Sequence, residues 1–142
     1  MSNNYIQFPG IVELRVAACS TLPANVVRRH ATGMPVAMLE PTEKLRFVGE
    51  PTCKKSLNAT NNGQTYTVEL QFKVAGRWTA PVQPTAFIVR TAMGETLLIG
   101  SRERPYPVVT TEETTGTPSG DGRLTTVTVK QTALETLIPV VV

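Results

Sequence analysis

The chain has 142 residues, of which 41% are hydrophobic and only 18% charged, with a formal net charge of +3. That length suits one domain burying roughly two-thirds of its unfolded surface. The apolar share excludes a disordered chain, and no apolar run reaches the roughly 18 residues of a membrane helix. The 21 Thr and 17 Val are the strongest compositional signal, because β-branched side chains fit a pleated sheet better than a helix. The 11 Pro and 10 Gly cut the chain into short lengths, which suit strands.

Taken in chain order, Phe8-Pro9-Gly10 reads as a turn. Val12, Leu14 and Val16 then alternate as one apolar strand face. Residues 23–30 read as a short helix with Thr21 as N-cap and Pro23 in the first turn, or equally as an irregular loop; Gly33 and Pro35 end either. A short apolar run covers Val36 to Leu39, and Glu40-Pro41-Thr42-Glu43 is a turn. Lys44 to Val48 alternates as a strand, and residues 49–63, polar and rich in Asn, Thr and Lys, read as a long surface loop.

Residues 64–74 carry the clearest pattern. Tyr66, Val68, Leu70, Phe72 and Val74 fall on one face, with Thr65, Thr67, Glu69, Gln71 and Lys73 on the other. A strict period of two over that length identifies a half-buried strand. Asn61-Asn62-Gly63 before it is a turn, and Ala75-Gly76 predicts a tight hairpin into residues 77–80.

A second hairpin is expected from residues 86–91 and 95–99 around Met93-Gly94. Both arms are almost continuously apolar, so they are either covered on two faces or meet another chain. Val108 to Thr111 reads as a strand, 112–122 as a second long loop, and 123–131 as a strand with Val127 and Val129 on one face. Residues 132–138 are ambiguous, and 139–142 form an apolar tail. The whole describes an all-β chain, an antiparallel sandwich or small barrel of about seven to nine strands with at most one or two short helices. No composition shift divides residues 1–142 into two domains.

The chemistry is thin. His30 is the only histidine and Asp121 the only aspartate, and Asp121 sits in a glycine-rich turn. A hydrolase would have to pair His30 with Cys19 or Cys53, or with a serine and Asp121, and no nucleophile elbow is present. The two cysteines read as small thiols; a bridge between them needs Cα atoms within about 7 Å. One His and two distant Cys do not supply a zinc site, and no phosphate-binding glycine motif occurs. No enzyme, cofactor or metal is expected. The sequon at Asn58-Ala59-Thr60 has no secretory signal to support it, since Met1 to Tyr5 lacks basic and apolar leader features.

The basic residues are scattered, so nucleic acid is an unfavoured partner. Only Arg28-Arg29-His30 forms a local patch, read as a solvated face. A single-strand-binding barrel needs exposed aromatics beside Lys or Arg. Tyr66 and Phe72 belong to the apolar strand face, which leaves Tyr106, flanked by Arg102 and Arg104. For a carbohydrate platform the residues to inspect are Trp78 and Tyr106.

From Phe87 through Met93-Gly94-Glu95, Leu98-Ile99-Gly100 and Pro105-Tyr106, then a Thr/Val-rich strand at 124–130 and Leu137-Ile138-Pro139, the sequence resembles small all-β proteins of Bacteroides-type phages and prophages. The resemblance implies a virion component of the head–tail connector, tail-completion or minor-tail class, cytoplasmic during assembly and joined to protein subunits, itself or others. It carries no catalytic residues. The surfaces expected to make contacts are Phe87, Val89, Leu97 and Ile99 on the hairpin, Trp78, Arg102, Arg104 and Tyr106, and Val140, Val141 and Val142 in the tail. The chain's own core is the competing place for the hairpin and the tail.

Overall fold

The computed structural model describes residues 10–22, 34–35, 43–79, 81–102, 105–115, 123–133 and 138–141. Ten strands occur among them: β1 Ile11–Ala18, β2 Met34–Pro35, β3 Glu43–Leu45, β4 Val48–Thr60, β5 Gly63–Ala75, β6 Thr85–Thr91, β7 Thr96–Ile99, β8 Val108–Thr114, β9 Leu124–Ala133 and β10 Ile138–Val141. Eight of them have four residues or more, and the only helical element described is a 3-10 turn at Cys19–Thr21. They form a six-stranded sheet, β2-β10-β7-β6-β1-β3, and a four-stranded sheet, β4-β5-β9-β8. All pairings are antiparallel except β10 with β2. The fold is an all-β sandwich, as composition and alternation require.

The two sheets meet across Leu14, Leu45, Phe87, Val89 and Ile99 on one side and Val68, Leu70, Phe72, Val127 and Val129 on the other. Phe72 sits between Phe87 and Trp78, each ring centroid 6.2 Å away. Alternation in β5 sends Val68, Leu70 and Phe72 inward, as the sequence predicts.

β6 is buried on both faces. Phe87 and Val89 face the four-stranded sheet, while Ala86 and Ile88 face a second cluster with Cys19, Leu22, Leu98 and Ile138. Its continuous apolar run therefore serves two cores within this chain.

Several expectations change. Val12 is 55% exposed, because a bulge between Ile11 and Glu13 adds a residue and turns it out of the alternation. Ile11 packs against the core in its place. The strand expected at 44–48 is broken: β3 ends at Leu45 and β4 begins at Val48. Residues 49–60 are not a loop but most of β4, held by ten register pairs to β5 from Thr60↔Gly63 to Val48↔Lys73. Among the described residues no return strand follows Gly76. Its N–H instead donates to the Arg123 carbonyl at 2.7 Å, and β5 pairs on that side with β9. Glu112 to Thr114 continue β8, while 116–122 lie outside the described residues, as do 23–30 and 36–39. The tail is no free end: Ile138 and Pro139 pair with β7, and Val140 and Val141 with β2.

Buried polar groups are satisfied. Thr125 donates to the Gly76 carbonyl at 2.8 Å, and the Gln131 amide donates to the Pro105 carbonyl at 3.0 Å. The latter ties the 100–107 connection to the inner face of β9.

Gly100 shows how tight the double packing is. At φ +134° a Cβ there would lie 2.8 Å from the Ala86 Cβ and 3.0 Å from its Cα. Gly63, at φ +128°, has open space around it. Gly100→Ala should therefore lose about 2–4 kcal/mol, from backbone strain plus overpacking, and Gly63→Ala only about 1 kcal/mol from strain. Urea unfolding of the two variants measures the difference; equal losses would mean that the approach to β6 carries no cost.

Candidate functional site

Two β-bulges interrupt the long strands, one at Val12 in β1 and one between Val48 and Thr52 in β4. Both line the same cleft. It has a volume of about 730 Å³ and opens between the start of β1, the start of β4 and the β6–β7 turn. Ile11, Pro51, Val89 and Leu97 form its apolar wall, and the half-exposed Val12 and Met93 stand at its mouth. Glu50, Thr52, Thr91 and Glu95 supply the polar lining. The turn is held firmly. The Ala92 N–H donates to the Gly10 carbonyl at 3.0 Å, and Thr91 and Glu95 exchange backbone and side-chain bonds. Bulges commonly re-aim a strand beside a functional opening, and here two converge on one.

Cys53 is the nucleophilic residue in the cleft. Burial pushes its thiol up to about 11. Cys19 is buried on the far side of β6, and burial raises its thiol more than a backbone hydrogen bond from Ser101 lowers it. Both cysteines are free. His30 and Asp121, the partners a hydrolase would need, lie outside the described residues. Among the described residues no three His, Cys, Asp or Glu side chains gather into a metal-binding group. No described helix is long and apolar enough to cross a membrane.

The residues expected to make contacts are scattered. Phe87, Val89 and Ile99 lie inside the core, at most 1% exposed, so none offers an outer face to a neighbour, and Val89 only backs the cleft. The apolar run that suggested a shared face is consumed by the two cores around β6. Leu97 is half-buried in the cleft wall. Trp78 packs edge-on to Phe72 at the core margin, and Tyr106 packs against the second cluster with Val140. Arg102 is exposed. Arg104 and Val142 lie outside the described residues, and Val141 is described only by its backbone pairing. Neither Trp78 nor Tyr106 stands out as a stacking platform, because each ring is spent on packing.

The surface features that sequence reasoning missed are strand ends. On the inner side of β4, cover runs out after Cys53: Lys55, Leu57 and Ala59 are all exposed. The distal β4–β5 hairpin is thus uncovered along β4; β9 backs β5 as far as Tyr66↔Ala133, and this arm extends as two strands only from Asn58↔Thr65 to Thr60↔Gly63. Leu57, 51% exposed, pairs with Tyr66, and the Lys55 ammonium sits 4.5 Å from the Tyr66 ring centre. On the outer side, Asn58 donates to the Thr67 hydroxyl at 2.9 Å, which shares a further 2.9 Å bond with Thr132. Glu69 bridges Lys54 and Lys130 at 3.4 and 3.9 Å. The only signal for the arm was the β-turn at 61–63.

No family model, curated protein or solved structure matches this chain.

A thiol with a pKa near 11 is almost wholly protonated at pH 8. Cys53 should therefore react with iodoacetamide at least tenfold more slowly than free cysteine at pH 8, speeding up as pH approaches 11. The folded value lies above the unfolded one, so the folded state holds its proton longer. Stability linked to this group is full below about pH 9 and is lost between there and about pH 11. Cys53→Ala should flatten that part of the pH–stability curve. Mass-spectrometric alkylation rates and melting across pH test both; a fast thiol at pH 8 would contradict the burial.

Proposed function

We propose that the chain is a non-enzymatic structural subunit of a phage or prophage particle, of the tail or head–tail class, acting through protein–protein contacts. The observation that carries this reading is the projecting arm. The distal half of β4 is exposed on both faces, yet it stays registered to β5 up to the turn, with β9 behind β5 as far as Tyr66↔Ala133. Cross-strand threonines, an ion bridge and a cation–π contact keep it ordered without burying it. Ordered, exposed β-structure carrying an apolar Leu57 is what a subunit offers to a neighbour. The sequence likeness from Phe87 onward points the same way.

A second reading has the cleft in its favour. Its volume of about 730 Å³ is within the usual range for small-ligand pockets, and its lining is mainly apolar with few polar groups. A carbohydrate or single-stranded nucleic acid would instead need exposed aromatics, and Trp78 and Tyr106 are occupied in packing.

Co-expression with the products of neighbouring genes, followed by sedimentation and electron microscopy, tests the reading. The chain should enter a large particle, and Leu57→Asp should lower its occupancy about tenfold while leaving its melting temperature within a few degrees. A chain that stays at 15.4 kDa with every neighbour, or an arm variant that assembles normally, would count against it.

A further inference from the structure

β4 and β8 are the two edges of the four-stranded sheet, and they are built in opposite ways. β4 carries devices that discourage strand pairing: a bulge, Pro51 within it, and the adjacent lysines Lys54 and Lys55. β8 carries none of them. Its seven residues pair with β9 without a register break, from Val108↔Lys130 to Thr114↔Leu124. Five of the seven are Val or Thr, and it contains no Pro, Gly or Lys. Six are exposed and Val109 alone is half-buried. Even the inward positions Thr111 and Glu113 are exposed, so the opposing sheet does not reach them.

The positions of the two glutamates are compatible with a second copy of the same strand. Glu113 is already engaged: the Arg123 guanidinium bonds it, Arg77 lies 3.6 Å away, and its carboxyl is held below the usual range, first by Arg123. Consider a second β8 laid antiparallel against the first and centred on Thr111. Glu112 then faces Thr110, Glu113 faces Val109, and Val108 faces Thr114. No glutamate stands opposite another, whereas centring on Glu112 or Glu113 sets like charges face to face. Thr111 is the midpoint of β8, so this register pairs all seven residues with no glutamate directly opposite another, as a two-fold interface through this edge requires.

We propose that β8 is the pairing edge for β8 of a second copy, joining two four-stranded sheets into one continuous sheet through a two-fold axis at Thr111. The inference rests on the assembly reading and names one of its contacts. A single seven-residue edge makes a small interface, so the dimer belongs to the weak class and forms in the range of about 10–100 μM.

Sedimentation equilibrium from about 5 to 500 μM tests it. The mean mass should climb from 15.4 kDa towards twice that value. Thr111→Lys sets two ammonium groups opposite each other at an exposed position and should weaken association at least tenfold with the melting temperature kept. In a Cys53→Ala background, Thr111→Cys should form a disulfide dimer under mild oxidation. Antiparallel partners stand about 4.5–5.5 Å apart at Cα, inside the range a disulfide spans. Thr60→Cys, at the arm tip, should not cross-link. A mass fixed at the monomer up to 500 μM overturns the inference. So does a dimer indifferent to Thr111→Lys. Cross-linking through Thr60→Cys but not Thr111→Cys overturns the β8 edge and leaves assembly through the arm standing. Protection of the β8 amides from hydrogen exchange only when another protein is added also overturns self-pairing.

Discussion

The double burial of β6 is the constraint from which the rest of the fold follows. Alternate residues of one strand must fill two different cores, Phe87 and Val89 one, Ala86 and Ile88 the other. Every position from Thr85 to Val89 is therefore buried, and the strand needs neighbours on both edges and cover on both faces. β1 and β7 supply the edges. The four-stranded sheet covers one face; Cys19, Leu22 and Tyr106 belong to the cover of the other. Gly100 is where the covering chain comes closest, with only a hydrogen atom's room above Ala86.

That arrangement fixes which surfaces remain. β1 and β6 have eight and seven residues, whereas β4 and β5 each have thirteen. A sheet of long strands packed on a sheet of short ones must overhang, and the overhang is the arm. The same mismatch leaves β8 covered only as far as Val109. The cleft arises at the opposite corner, where bulges in β1 and β4 splay the sheets apart beside the β6–β7 turn. Two of these openings thus come from the unequal reach of two sheets that share a core, and the third from the bulges.

The elements most legible in the sequence are those with a strong apolar demand. β5 shows a period of two because one face is wet and one dry; β6 shows a continuous run because both faces are dry. The same rule hid β4. Beyond Cys53 it buries nothing, so no alternation marks it, and Gly49, Pro51 and Asn58 resemble loop residues. Its order comes from register with β5, a property of the pair and not of either segment. Val12 misled because a bulge shifts phase without changing composition. Phe87, Val89 and Ile99 misled as contact residues for a related reason: an apolar run says that a strand is covered, never by whom. The cleft was illegible because its lining joins residues 10–12, 49–53 and 89–97, which no local pattern connects.

Low charge has a consequence for how copies would meet. At a net charge of +3 the chain repels itself only weakly, and its field steers partners little. The outer face of the four-stranded sheet is neutralised locally, with Glu69 between two lysines. The exposed large apolar residues among those described are spread along the chain: Val12 and Met93 flank the cleft, Val48 begins β4, Leu57 is on the arm, Val82 precedes β6 and Val108 begins β8. Among the described residues, neither a concentrated charge nor a broad apolar surface stands out to choose a partner. What remains is the directional hydrogen bonding of an open strand edge, with the position of two glutamates to set its register. A surface of this kind discriminates by geometry at short range, so local concentration would govern its association more than electrostatic attraction. The proposed assembly would meet that condition by holding many copies side by side.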